Sequence, residues 1–272
     1  MRDGTGASLD MFPREILPGV YVCADAADLA RTAARRFVDW AWQSIAKDGN
    51  FNVALSGGST PQELYRILAT PEFRAQVDWP RVHLFWGDER AVPPDSPESN
   101  YGNARRELLL RVPIPAANVH RMEAEDPNIG RAAHNYEATL RQFLPLDDRG
   151  FPRFHLVFLG LGKDGHTASL FPGSKLLRET SRWVSTPLVP KIGARRMTLT
   201  LPVLEAAQRV VFLVAGAEKA SILREVLCNH PDPPLPAQMV KPREGERLFF
   251  IDEPAASKLS ASQSQPIPEG QP

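Results

Sequence analysis

Cysteine is nearly absent: Cys23 and Cys228 are the two in 272 residues. They allow no disulfide framework and form no metal-ligand pair, so a reducing cytoplasm is the expected compartment. Net charge is absent too, 32 basic residues standing against 32 acidic ones. Without a global field, neither nucleic acid nor a membrane is an expected partner, and any anion site must be local. No apolar run is long enough to span a bilayer, and no signal-peptide pattern opens the chain. Lysine is scarce, 7 residues against 25 arginines. What is present in quantity is core material: 43% of the residues are apolar, ample for a sizeable globular core.

Short apolar runs alternate with helical patterns, which points to a mostly parallel α/β sheet flanked by helices. Residues 1–19 carry little pattern and are expected to be partly disordered; a single domain follows over 20–259, then a disordered Ser-, Gln- and Pro-rich tail over 260–272. Strands are predicted at 20–23, 51–55, 82–87, 119–122, 154–159, 183–186, 197–201, 209–215 and 247–252. Asp25 is placed to cap a long helix in which Leu29, Ala33, Phe37 and Ala41 recur every fourth residue, with Gly49 as its stop. Further helices are predicted at 103–111, from Asp126-Pro127 onward, at 218–227 and at 254–259.

Two strand ends carry glycine-rich turns. The strand 51–55 opens into Ser56-Gly57-Gly58-Ser59-Thr60-Pro61, with Thr60 as the expected N-cap, Pro61 at N1 and Glu63 completing a capping box. Unpaired backbone N–H groups, the helix dipole and the hydroxyls of Ser59 and Thr60 make Gly57–Thr60 an anion site. No Lys follows the glycines, so this is not a nucleotide loop, and one phosphate is the natural cargo. Ser56 resembles a nucleophile elbow only faintly, because a helix starting after Pro61 leaves a roomy loop where an elbow is tight.

The second turn follows 154–159 and reads Gly160-Leu161-Gly162-Lys163-Asp164-Gly165-His166. Its glycines spell G-x-G-x-x-G, but Pro172 cuts short the helix that a dinucleotide fingerprint needs. A carboxylate and an imidazole two residues apart at a strand end form a catalytic layout, since ligands in open α/β sheets bind at the carboxyl ends of strands. Asp88-Glu89-Arg90 closes 82–87 in the same way, and 91–100 is a loop long enough to cover a site. Lys219 stands in a helix's first turn, where the dipole opposes a cation and an anionic ligand explains it better. Asp164-x-His166 is half a metal site, with no third ligand at useful spacing.

Taken together, ALSGGSTP (54–61), WGDERAVP (86–93), SNY (99–101), PIPAANVHRM (113–122), GLGKDGHTASLFPG (160–173), RMTLTLPVL (196–204), FLVAGAEKA (212–220) and LPAQMV (235–240) resemble the 6-phosphogluconolactonase family. That family shares a superfamily with glucosamine-6-phosphate deaminase and ribose-5-phosphate isomerase. Deaminases follow the Asp-Gly-His turn with A-F-N-E-P, whereas Phe171 stands here where their catalytic Glu would be. Glu205 and Phe249 depart from residues common in lactonases, at positions given no chemical role.

The resemblance implies a Rossmann-like, doubly wound sheet and hydrolysis of 6-phospho-D-glucono-1,5-lactone to 6-phosphogluconate in the oxidative pentose phosphate pathway. It implies no metal or organic cofactor, and the chain is expected to be a monomer or weak homodimer. A sugar-phosphate isomerase or deaminase, or a non-catalytic sugar-phosphate sensor, is the competing reading. In the expected mechanism His166 is the general base toward water, oriented by Asp164 or Asp88. Backbone N–H groups of the Gly160–Gly165 turn hold the developing oxyanion. Gly57, Gly58, Ser59, Thr60, Arg90 and Lys219 bind the phosphate, with Arg195 and Arg196 as further candidates.

Overall fold

The computed structural model describes residues 13–189 and 193–259. Its strands are β1 (Arg14–Leu17), β2 (Val20–Cys23), β3 (Phe51–Leu55), β4 (Val82–Trp86), β5 (Asp88–Arg90) and β6 (Leu156–Leu159). They continue with β7 (Val184–Ser185), β8 (Leu188–Val189), β9 (Ala194–Leu199), β10 (Arg209–Val214) and β11 (Glu246–Asp252). Seven form the main sheet in the order β1-β2-β11-β10-β6-β3-β4. All its pairings are parallel except β1 with β2.

The run Phe51–Leu55 is buried at every position, as is Leu156–Leu159, because helices cover both faces of a parallel sheet. The helix Ala26–Asp48 begins on Asp25, whose side chain accepts from Asp28 N at 2.8 Å, and stops at Gly49 with φ +80°. Its apolar stripe sets the Phe37 ring edge-on to Phe51 at 5.2 Å and stacks it with Phe158 at 6.5 Å. Each such fully buried large side chain contributes about 1.5–3 kcal/mol. Among the described residues no helix is long and apolar enough to cross a membrane.

A second, antiparallel sheet runs β5-β9-β7, with β8 also on β9. Gly87 hands the chain from one sheet to the other: its N–H donates to Leu55 O at 2.9 Å, while its carbonyl accepts from Leu199 N at 2.8 Å. This handover sets Asp88 and Arg90 beside the carboxyl end of β3.

Several expectations change. The segment before residue 20 is partly a strand, β1, which pairs with β2; residues 1–12 and the 260–272 tail lie outside the described residues. Residues 119–122 contribute one bridge, Val119 to Leu84, rather than a strand. The 103–111 helix starts earlier, at Asn100 on a Ser99 cap, and widens into a π-turn over Arg105–Leu109. The capping box is not formed: Gly58 is the cap, the helix is Ser59–Leu68, and Glu63 pairs with Arg66 at 2.8 Å. A glycine at φ +104° supplies a cap conformation that Thr60 was expected to supply with its side chain.

Candidate active site

The strand order β10-β6-β3-β4 brings four strand ends into a row, and the expected site residues follow them in that order. Lys219 comes after β10, the His166 turn after β6, Gly57–Thr60 after β3 and Asp88–Arg90 after β4. Together they line one cavity of about 470 Å³. Ser59, Thr60 and Pro61 at the start of the helix Ser59–Leu68 line the same cavity as Leu213 and Val214 at the end of β10.

Between Asp88 and Asp164, the geometry selects Asp164 as the partner of the imidazole. His166 Nδ1 is hydrogen-bonded to Asp164 Oδ1, and the His166 N–H donates to the same oxygen at 3.2 Å. Burial pushes the Asp164 carboxyl up, but the His166 hydrogen bond and charge outweigh it and hold the group below its ordinary range. Phe171 stacks on the imidazole at 4.4 Å. Gly162 lies so close that a Cβ there would sit 2.0 Å from Nδ1. Next to this turn Ala168 adopts φ +46°, strain for a non-glycine residue of the kind that gathers at functional sites.

Asp88 lines the cavity but is bonded elsewhere. Ser169 Oγ donates to its Oδ2 at 2.7 Å, and Asn100 Nδ2 donates to its backbone oxygen at 2.9 Å and to Oδ1 at 3.3 Å. Asn100 also lies over Gly57, where a Cβ would meet its Oδ1 at 1.9 Å. Neither Asn100 nor Ser169 was singled out from the sequence, although both fall inside the SNY and GHTAS motifs.

Of the two adjacent arginines, Arg196 lines the cavity and Arg195 does not; Arg195 faces a separate hollow formed with 124–130. The reason is strand alternation: Arg196 is the register partner of Arg90 across β5 and β9, so the two share a face. Burial holds the Arg196 guanidinium below its usual pKa; Asp88 pulls it up and Arg90 adds to the lowering. Lys219 donates to Leu161 O at 2.7 Å, and burial depresses its ammonium in spite of Glu218 beside it.

Two further expectations are narrowed. The Gly162 N–H donates to His166 O at 2.8 Å and the Gly165 N–H to Gly162 O at 3.0 Å, so these two close the turn, and an oxyanion would have to use its other N–H groups. The loop after Ser56 is tighter than the sequence indicated, yet the Ser56 hydroxyl donates to Gly57 O at 3.3 Å rather than to an imidazole, so no serine triad forms. Among the described residues, no three His, Cys, Asp or Glu side chains gather as a metal would require.

With this geometry, the match to known proteins is informative. Residues 24–249 match the family described as glucosamine-6-phosphate isomerases/6-phosphogluconolactonase. The chain belongs to this family. A 6-phosphogluconolactonase of Synechocystis sp. is 41% identical over 218 residues, 80% of this chain and 88% of its relative. One from Nostoc sp. is 40% identical over 218 residues, with the same shares of 80% and 88%. The solved 6-phosphogluconolactonase of Trypanosoma brucei superposes with a TM-score of 0.80 at 31% identity, covering 90% of this chain and 100% of that one. Phe171, which the resemblance sets where a deaminase would carry its catalytic Glu, is the residue stacked on the imidazole.

Proposed function

We propose that the protein hydrolyses 6-phospho-D-glucono-1,5-lactone to 6-phosphogluconate, the lactonase step of the oxidative pentose phosphate pathway. The observation that carries the reading is the Asp164–His166 pair in the wall of a cavity that also holds Arg90, Arg196, Lys219 and a helix N-terminus. A lactone carbonyl is already electrophilic, so the enzyme needs positioning and a base rather than a strong nucleophile. Asp164 engages Nδ1 and leaves Nε2 as the nitrogen for proton transfer. His166 takes a proton from water as the water attacks C1, and the imidazolium then protonates the departing ring oxygen. Asp164 stabilises that imidazolium.

The phosphate is remote from C1 and serves as the handle. Gly57–Thr60 at the helix N-terminus, Arg90 and Lys219 bind it, with Arg196 joining them from across the small sheet. Fixing the phosphate fixes the ring against the base. An apolar ring at Phe171 offers no carboxylate for the amino-sugar reaction. Burial pushes the Cys23 thiol up to about 11, which keeps it protonated and unreactive.

The test is a coupled assay with freshly generated lactone, corrected for spontaneous hydrolysis, beside glucosamine 6-phosphate as substrate. Acceleration of the phosphorylated lactone alone is expected. Turnover of the amino sugar without lactone hydrolysis would replace this reading with the deaminase one.

A further inference from the structure

Glu89 stands between two residues of the pocket and touches none of its space. It is only 3% exposed, yet its carboxylate accepts four hydrogen bonds. Oε1 takes the N–H groups of Arg90 at 2.7 Å and Asn100 at 2.8 Å. Oε2 takes the Tyr101 N–H at 2.7 Å and the Ser99 hydroxyl at 3.1 Å. Ser99 Oγ already accepts from Gly102 N at 2.9 Å, so its hydrogen is committed to Glu89. One carboxylate therefore ties the start of the 91–99 loop to its end.

The end of that loop is where the pocket is shaped. Asn100 covers Gly57 at a distance that excludes a side chain there, and its amide donates twice to Asp88. Behind it, Gly102 lets the loop fold back, since a Cβ would stand 2.5 Å from Pro94 O. We propose that Glu89 is a positioning residue for the substrate pocket, setting through Asn100 the place of the Gly57 turn and of the Asp88 carboxylate. The inference rests on the lactonase reading above. Burial, with the Asp88 charge added, leaves the Glu89 carboxyl above its ordinary range even though three backbone donors pull it back. On this account the 91–99 loop is a fixed wall of the site, not a lid.

The test is Glu89→Gln. Whichever oxygen becomes an amide nitrogen, two donors lose their acceptor while the side-chain shape is kept. Measured on folded protein with phosphorylated lactone, KM should rise about tenfold or more, with a smaller change in kcat, because the phosphate turn is displaced and the His166 pair is not. Asn100→Ala should give a similar rise. The double variant should lose little beyond either single change, since both act through one link. Independent, multiplying losses would overturn the proposal, as would an unchanged KM with only a lowered Tm. If Glu89→Gln does not fold, Ser99→Ala removes one of the four bonds and must still raise KM; no rise would equally overturn it. An inactive wild type would sink the lactonase reading instead, which keeps the two failures apart.

Discussion

Arg90 and Arg196 face each other in register across β5 and β9, and the Nε of each is buried without a hydrogen-bond partner. Directly opposed like charges destabilise an antiparallel pair. Partial burial makes the repulsion worse; Asp88, Glu89 and Glu98 offset part of it, and a bound anion would relieve it further.

Inorganic phosphate or 6-phosphogluconate should therefore raise the melting temperature. At a hundredfold excess over Kd the gain is about 2.7 kcal/mol, roughly 5–11 °C for a chain of this size. Arg196→Gln should lose most of this ligand-induced shift without lowering the ligand-free Tm. It should also raise KM for the phosphorylated lactone and leave kcat/KM for plain gluconolactone nearly unchanged. A ligand-free Tm that falls sharply would show Arg196 to be a fold residue, contrary to the anion-site assignment.

The His166 pair makes a separate prediction. Removing the base in His166→Ala should cost about 10²–10⁴-fold in the rate above background. Asp164→Asn keeps the shape but not the charge that steadies the imidazolium, and should cost less than removing the base itself. Both losses should appear in kcat with substrate binding retained. Near-normal turnover by a folded His166→Ala protein would remove His166 from the mechanism.

The chemistry of this site was more legible than its walls. Asp164 and His166 are two residues apart in one turn, so their pairing is local and the sequence displays it. Asp88 stands as close to the catalytic strand end in any reading of the chain, and only the Ser169 and Asn100 bonds separate it from the imidazole. Arg195 and Arg196 are indistinguishable until the register of β9 on β5 is known. Likewise the parallel character of the large sheet follows from buried apolar runs, whereas its strand order does not, and β1 is short and at most half-buried, with too little pattern to announce itself. The capping box failed because Gly58 could adopt a positive φ that starts the helix earlier.

Acid should destabilise the fold through histidines far from the site. His83 Nδ1 and His120 Nε2 lie 3.1 Å apart, and burial lowers both, His120 to about 4 with the His83 charge as a second cause. His155 is lowered as well, by burial against the pull of Asp48. Each folded pKa is below the unfolded value of about 6.5, so between them the unfolded chain binds more protons. Stability is therefore complete above about 6.5 and falls as pH drops below it; for His120 the loss continues to about 4. Urea midpoints between pH 7.5 and 4.5 should show this slope, and replacing the pair in His83→Phe/His120→Phe should flatten it. An unchanged slope would mean that carboxylates, not this pair, govern acid unfolding.

Two glycines separate the base from the phosphate turn most cleanly, because neither carries a functional side chain. A methyl group on Gly162 would lie 2.0 Å from His166 Nδ1, so in Gly162→Ala the imidazole must leave its place beside Asp164. A methyl group on Gly57 would lie 1.9 Å from Asn100 Oδ1, so Gly57→Ala displaces the cover of the phosphate turn. Displacement of a reacting group by about 1 Å costs on the order of 10²-fold. Gly162→Ala should therefore lose kcat on phosphorylated and plain lactone alike, since both need the base. Gly57→Ala should chiefly raise KM for the phosphorylated lactone, since the plain one never used that anchor. Measured together in folded protein, the two variants should give opposite patterns. Equal losses from Gly57→Ala on both lactones would mean that the turn after β3 serves the reacting carbon, and the phosphate would have to be placed elsewhere in the cavity.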